Sequence, residues 1–252
     1  MAEQPGAPLL AEATNVGPVQ GEQLRGSVEA GPTRLGNFHV CGKEEMPGGL
    51  RISGARYQVV SKVLAPGESY QGEPGTMMYM SDDVKMQARW AGWRIFTGEG
   101  LAKLKYTNTG SETGYLGLQP NMPMAVVLPF DVGPTASLNC KRGAFMAGDE
   151  AVKVLPNLLP AKSCVACCCG GMPPVIQHLT GSGTALLNAG GTVIMKHLQP
   201  DEVLMVDTHS VVAFTDGIGS AALCHHRARC DHTHIHALPQ PALLMRIVAS
   251  QI

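Results

Sequence analysis

Gly181-Ser182-Gly183-Thr184-Ala185-Leu186-Leu187-Asn188-Ala189-Gly190 is the stretch that decides the fold. It opens on Gly-x-Gly, runs through a short apolar segment and closes on Asn-x-Gly. Asn and Gly tolerate the positive φ that tight turns require, so the stretch reads as one strand between two turns. The run is too short for a helix and has no helical period. The same order stands at Gly98-Glu99-Gly100-Leu101-Ala102-Lys103-Leu104-Lys105-Tyr106-Thr107-Asn108-Thr109-Gly110. A second echo joins Leu64-Ala65-Pro66-Gly67-Glu68 to Leu198-Gln199-Pro200-Asp201-Glu202, with Leu128-Pro129-Phe130-Asp131-Val132-Gly133 as a degenerate third copy. After each comes another apolar strand, at Met77–Met80, Ala144–Ala147 and Val211–Phe214. All-β proteins also reuse turn chemistry by chance. Two echoes in one order favour a recurring unit of strand, turn, strand, Pro-acid turn and strand.

The rest of the chain has the same texture. Stretches of four to eight apolar residues, such as 57–64, 76–80, 192–198 and 202–207, alternate with Gly, Pro, Asn and Asp. Their length and punctuation predict strands. Residues 101–108 partly alternate, which suits a sheet with one wet face. Residues 124–130 are continuously apolar, which suits a strand covered on both sides. One short helix is expected near Ser81–Trp93. The expected fold is all-β with very little helix: internally repeated β-modules in a sandwich or barrel-like domain.

Composition agrees. The 252 residues include 30 Gly and 18 Pro, with 15% charged and 5% aromatic residues. Charge is too sparse for a coiled coil, and apolar content at 44% is too high for a wholly disordered chain. With 19 basic and 20 acidic residues the net charge is −1, so no basic excess invites a nucleic-acid backbone. No apolar run approaches the ~20 residues that span a bilayer, so no transmembrane segment is expected. The N-terminus lacks a basic start and an apolar core, and its Glu3, Glu12 and Glu22 disfavour a transit peptide. Sequence alone therefore suggests an intracellular, cytoplasmic location. The eight Cys are crowded, unlike a secreted disulfide framework. Three regions follow: a flexible leader at 1–35, a β domain at 36–218 and an atypical Cys/His-rich tail at 219–252.

An ordered set of motifs carries a resemblance. Met78-Tyr79-Met80-Ser81, Trp90-Ala91-Gly92, Gly98-Glu99-Gly100-Leu101 and Leu118-Gln119-Pro120 come first. Gly143-Ala144-Phe145-Met146-Ala147, Leu179-Thr180-Gly181-Ser182-Gly183 and Val206-Asp207-Thr208-His209-Ser210-Val211-Val212-Ala213-Phe214 follow. In this order they resemble the AIM24 family (altered inheritance of mitochondria protein 24) over about residues 55–214. The resemblance implies repeated β-modules like the fold of the tryptophan RNA-binding attenuation protein. Fungal members look like mitochondrial inner-membrane proteins that support cristae organisation, which implies a mitochondrial location. The family has no accepted catalytic residues to carry over. The chain departs from the pattern at Ser163–Gly171, where a Gly-rich bridge is usual, and beyond Phe214. The second departure puts the family's final strands in doubt and would leave sheet edges exposed.

Two clusters invite chemistry. His232, His234 and His236 stand at i, i+2 and i+4, one face of a strand, and Cys230 lies beside them. Three imidazoles plus water form a catalytic zinc arrangement, and a Cys would close a structural zinc site. The competing reading is a tail that binds metal adventitiously, with no resident cofactor. Cys167, Cys168 and Cys169, with Cys164 ahead of them, suit S-acylation and peripheral membrane association, or simply a Cys-rich surface loop. Elsewhere the bland reading leads. Gly98–Gly100 and Gly181–Gly183 lack the Lys-Ser/Thr of a phosphate loop. Asp82 and Asp83 read as a solvated turn, and Asp207 with His209 as a structural turn. Trp90, Trp93 and Phe96 read first as core filling and second as a partner patch.

The sequence thus points to a non-enzymatic binding or scaffold protein with protein partners and self-association. The rival is a cupin-like metal-dependent enzyme using the C-terminal His cluster. That cluster sits outside the repeats, whereas a cupin places its His-x-His early in the barrel.

Overall fold

The computed structural model describes residues 34–35, 38–39, 44–46, 49–54, 57–90, 102–158, 175–198, 202–216, 218–222, 232–237 and 245–250. The chain divides into two units, Met1–Gly42 and Lys43–Ile252. In the first, Arg34–Leu35 (β1) pairs antiparallel with Phe38–His39 (β2). All other described strands belong to the second.

There, Glu44–Met46 (β3) and Leu50–Ser53 (β4) precede three sets of six strands. The first set is Val59–Leu64 (β5), Ser69–Gly72 (β6), Met77–Met80 (β7), Val84–Trp90 (β8), Ala102–Asn108 (β9) and Gly114–Leu118 (β10). The second is Ala125–Val132 (β11), Leu138–Cys140 (β12), Phe145–Asp149 (β13), Val152–Leu158 (β14), Val175–Gly181 (β15) and Gly183–Gly190 (β16). The third is Val193–Leu198 (β17), Val203–Asp207 (β18), Val211–Thr215 (β19), Ile218–Ala222 (β20), His232–Ala237 (β21) and Met245–Ser250 (β22). In each set the sixth strand lies between the first and third, and the fifth lies between the second and fourth. Every pairing is antiparallel. Consecutive sets are joined in one way: β13 pairs with β6, and β19 pairs with β12. These joints make two six-stranded sheets, β11-β16-β13-β6-β9-β8 and β14-β15-β12-β19-β22-β17. A five-stranded sheet, β3-β4-β5-β10-β7, and a three-stranded one, β18-β21-β20, complete the unit.

The β11-β16-β13 part of the first six-stranded sheet is covered on both faces. Leu186 packs with Leu64, Leu116 and Tyr106 in one core. Its neighbours Ala185 and Leu187 pack with Leu138, Val154 and Leu179 in the other. Successive side chains of a strand point oppositely, so a strand with two cores must read as a continuous apolar run. This is why Ala185-Leu186-Leu187 carries no alternation. The 124–130 run behaves the same way, with Val127 in one core and Leu128 and Phe130 against the other. A register shift between Phe145 and Ala147 lets Phe145 serve one core while Met146 and Ala147 serve the other. Pro129 and Pro156 lie in β11 and β14, which both end their sheets, so the missing N–H need not break a ladder.

Two expectations need correction. The residues expected to form a helix near Ser81–Trp93 include β8, which pairs with β9 from Val84↔Asn108 to Trp90↔Ala102. Lys, Met, Gln, Ala and Arg favour helices, but a full-length cross-strand partner outweighs that weak preference. The tail does not leave the last sheets short of strands either. β22 occupies the middle of its sheet between β17 and β19, and β21 lies between β18 and β20.

The Pro-acid corners have a side-chain reason. Lys62 Nζ donates to Glu68 Oε1 at 2.8 Å, and Ala65 N donates to Glu68 Oε2 at 2.8 Å. Lys196 Nζ and Glu202 Oε1 are 2.8 Å apart at the corresponding link between β17 and β18. Lys-x-Leu-x-Pro-x-Glu therefore marks the link from first to second strand in two sets. The Gly-x-Gly echo does not share a position: Gly98–Gly110 includes β9, a fifth strand, and Gly181–Gly190 includes β16, a sixth.

Two buried phenols predict how alkali acts. Burial pushes the Tyr106 phenol up to about 12, partly offset by the Thr76 hydroxyl, and pushes Tyr70 up further with help from Asp149 and Glu68. Their folded pKa values exceed the unfolded one, so their stability contribution is complete below about pH 10 and is lost as pH rises towards the folded values. Denaturant midpoints are expected to fall steeply from about pH 10 to about pH 12. Tyr106→Phe should flatten part of that slope.

Candidate functional site

The alternation in residues 101–108 builds the most distinctive polar surface. Tyr106 and Asn108 are buried, while Lys103 and Lys105 project from the opposite face. Antiparallel pairing sets Arg89 of β8 directly opposite Lys103, and sets Lys105 opposite Gln71 of β6. These side chains line a cavity of about 280 Å³, which Val152, Lys153 and Val154 of β14 also line. Trp90 also lines it and is 73% exposed. Trp90 therefore does not fill the core; Trp93 and Phe96 lie outside the described residues.

Four cations thus meet one carboxylate. Glu150 accepts from Lys105 Nζ and lies 3.3 Å from Arg89 Nη1. The Lys105 hydrogen bond, more than the nearby charges, holds the Glu150 carboxyl below its ordinary range. Lys103 Nζ donates to Gln71 Oε1 at 3.2 Å and stands 5.1 Å from the centre of the Phe145 ring. Gln71 in turn donates to the Asp149 carbonyl at 2.8 Å, fixing the turn that carries Glu150.

A second polar cluster was also missed by sequence reasoning. Asn139 Nδ2 donates to Asp216 Oδ1 at 2.7 Å, Asn157 Nδ2 donates to Asn139 Oδ1 at 2.8 Å, and His178 Nδ1 lies 3.0 Å from the same oxygen. The Ser137 hydroxyl donates to Asp216. Ser, His and Asp are together, but in the wrong order for nucleophilic catalysis. A catalytic His must lie between the hydroxyl and the acid to take the proton. Here the acid holds the hydroxyl, and His178 is 3.9 Å from Asp216. The cluster ties β12, β14 and β15 to the turn after β19.

The residues singled out from sequence are scattered. Asp207 caps the short turn Thr208–Ser210, accepting from His209 N at 2.8 Å and Ser210 N at 3.3 Å. Its role is structural, as that turn reading expects. Lys85 Nζ donates to the Asp82 carbonyl, and Thr109 donates to the Asp83 carbonyl, which holds the 81–84 turn. His232, His234 and His236 occupy alternate positions of β21, opposite Asp207, Met205 and Val203. The side chains of β21 lie outside the described residues, as do Cys230 and Cys164, Cys167, Cys168 and Cys169. Among the described residues no helix is long and apolar enough to cross a membrane.

Comparison with known proteins bears on the whole unit. Over 81% of its length the chain superposes on protein SPYM3_0169 from Streptococcus pyogenes, known from an X-ray crystal structure. That match covers 93% of the bacterial chain with a TM-score of 0.62 and 17% identity, so it speaks for the fold alone. No curated protein sequence matches the chain. The family model described as "Mitochondrial biogenesis AIM24" matches residues 50–229, from the start of β4 past the end of β20. With that match across most of its length, and with an all-β architecture of the kind the resemblance implied, the chain belongs to the AIM24 family.

Proposed function

We propose that this protein is a non-enzymatic scaffold with a part in mitochondrial membrane organisation, and that it assembles through the edges of its own sheets. The family supplies the mitochondrial association. The observation that carries the scaffold reading is the set-to-set joint. A third strand pairs with the second strand of the preceding set at β13–β6 and again at β19–β12. By the same rule β7 and β18 are the remaining complementary pair, and among the described strands each ends its sheet. Both edges carry exposed apolar side chains: Met78 is 53% exposed, Val203 58% and Met205 57%. A free strand edge is a template for another chain. β18 of one copy pairing with β7 of the next repeats the joint already made twice, and such a head-to-tail contact builds rings or filaments. The three sets are then three copies of one module.

Hydrogen exchange tests the reading. The outward amides of β7 and β18 should gain protection as protein concentration rises, and Met205→Lys should abolish that gain. Protection at both edges that is independent of concentration overturns self-association through them.

A further inference from the structure

We propose that the cavity between β8, β9 and β14 binds a small molecule through a phosphate group. The proposal stands apart from the edges, because none of its residues lies on β7 or β18. Arg89 and Lys103 are directly opposite on adjacent strands, an arrangement that destabilises a sheet unless something offsets it. Lys105 and Lys153 bring further positive charge to the same cavity, and among the described residues Glu150 is the single carboxylate lining it. One carboxylate leaves a positive surplus. Four cations against one carboxylate make that surplus three, of which a singly charged ligand offsets one and a phosphate dianion two. Arg89 adds the planar fork suited to phosphate oxygens. Trp90 offers a ring face for a planar group attached to that phosphate. The cavity is small for a drug-sized ligand and adequate for a phosphate with a modest substituent. Glu150 competes for the same cations, so it sets the affinity: its carboxylate holds Lys105 and Arg89 until a stronger anion arrives.

Calorimetric titration of the full chain with pyrophosphate and with inorganic phosphate tests this. Vesicles of phosphatidic acid, whose phosphomonoester can carry two charges, against phosphatidylcholine, ask whether the phosphate belongs to a lipid headgroup. Binding is expected to weaken about tenfold or more in Arg89→Gln and in Lys103→Gln, and to tighten several-fold in Glu150→Gln. Lys85→Gln, on the same strand but bonded to the turn at Asp82, should leave it unchanged. Arg89 is exposed, with 60% of its side chain accessible, so its variant should melt near the parent and keep the test interpretable. Response to phosphatidic acid alone, with the same dependence on Arg89 and Lys103, assigns the phosphate to a lipid. No binding of pyrophosphate, inorganic phosphate or the lipid vesicles, or binding indifferent to all three cavity variants, overturns the proposal.

Discussion

Gly181→Ala is expected to destabilise the protein by about 3 kcal/mol or more, the sum of a backbone penalty and a steric one. Gly181 ends β15 in one sheet and Gly183 begins β16 in another, with Ser182 alone between them. The chain must cross between layers within three residues. It does so with φ of +105° at Gly181 and +116° at Gly183, which side chains rarely adopt. A Cβ on Gly181 would also stand 2.1 Å from the Ala151 carbonyl oxygen. That atom is backbone in the β13–β14 turn, so relief requires moving the turn that also carries Glu150. A denaturant midpoint near that of the parent would show that the crossing relaxes cheaply. Loss of cooperative unfolding, or a drop of this size, is the expected result.

Removal of Met245–Ile252 is expected to have an effect at least as large, on the order of 5 kcal/mol. β22 pairs with β17 from Val193↔Ser250 to Leu198↔Met245, and on its other side with Val211, Ala213 and Phe214 of β19. Taking out a middle strand strips backbone partners from both neighbours, and each buried orphan costs about 1–3 kcal/mol. Val211, Ala213 and Phe214 are buried in the full chain, so the cut also exposes apolar surface. Limited proteolysis should then cleave first within β17–β19. Protease resistance equal to that of the full chain would mean that the tail is dispensable. For the same reason, deleting 219–252 does not cleanly separate a scaffold from a metal enzyme: it removes middle strands along with the histidines.

The buried half of the fold was readable because two covered faces force a continuous apolar run. Ala185-Leu186-Leu187 shows this directly, and the Pro-acid corners marked the turn from first to second strand in two of the three sets, whereas Pro129 and Asp131 of the degenerate third copy lie within β11. The β8 segment was misread because Lys85, Met86, Gln87 and Ala88 carry helix-forming preferences, while its strand state depends on partners 12 to 24 residues away. The tail was misread for a related reason. Its departure from the family pattern hid the fact that middle strand positions ask for pairing backbone and a short run of suitable residues. The cavity was half legible. The partial alternation of residues 101–108 announced a wet strand face, the one that carries Lys103 and Lys105, but Arg89, Glu150 and Lys153 come from other strands and a turn, and only the register brings them there. Ser137, His178 and Asp216 are similarly distant in sequence and meet only through pairing of β12 with β15 and β19.

The scaffold account rests on one joint being made between copies. Static light scattering of the full chain over a wide concentration range tests it most directly. The account predicts masses above the 26.6 kDa of one chain that rise with concentration, and a return to 26.6 kDa in the Met205→Lys variant. A mass of 26.6 kDa at every concentration would contradict it.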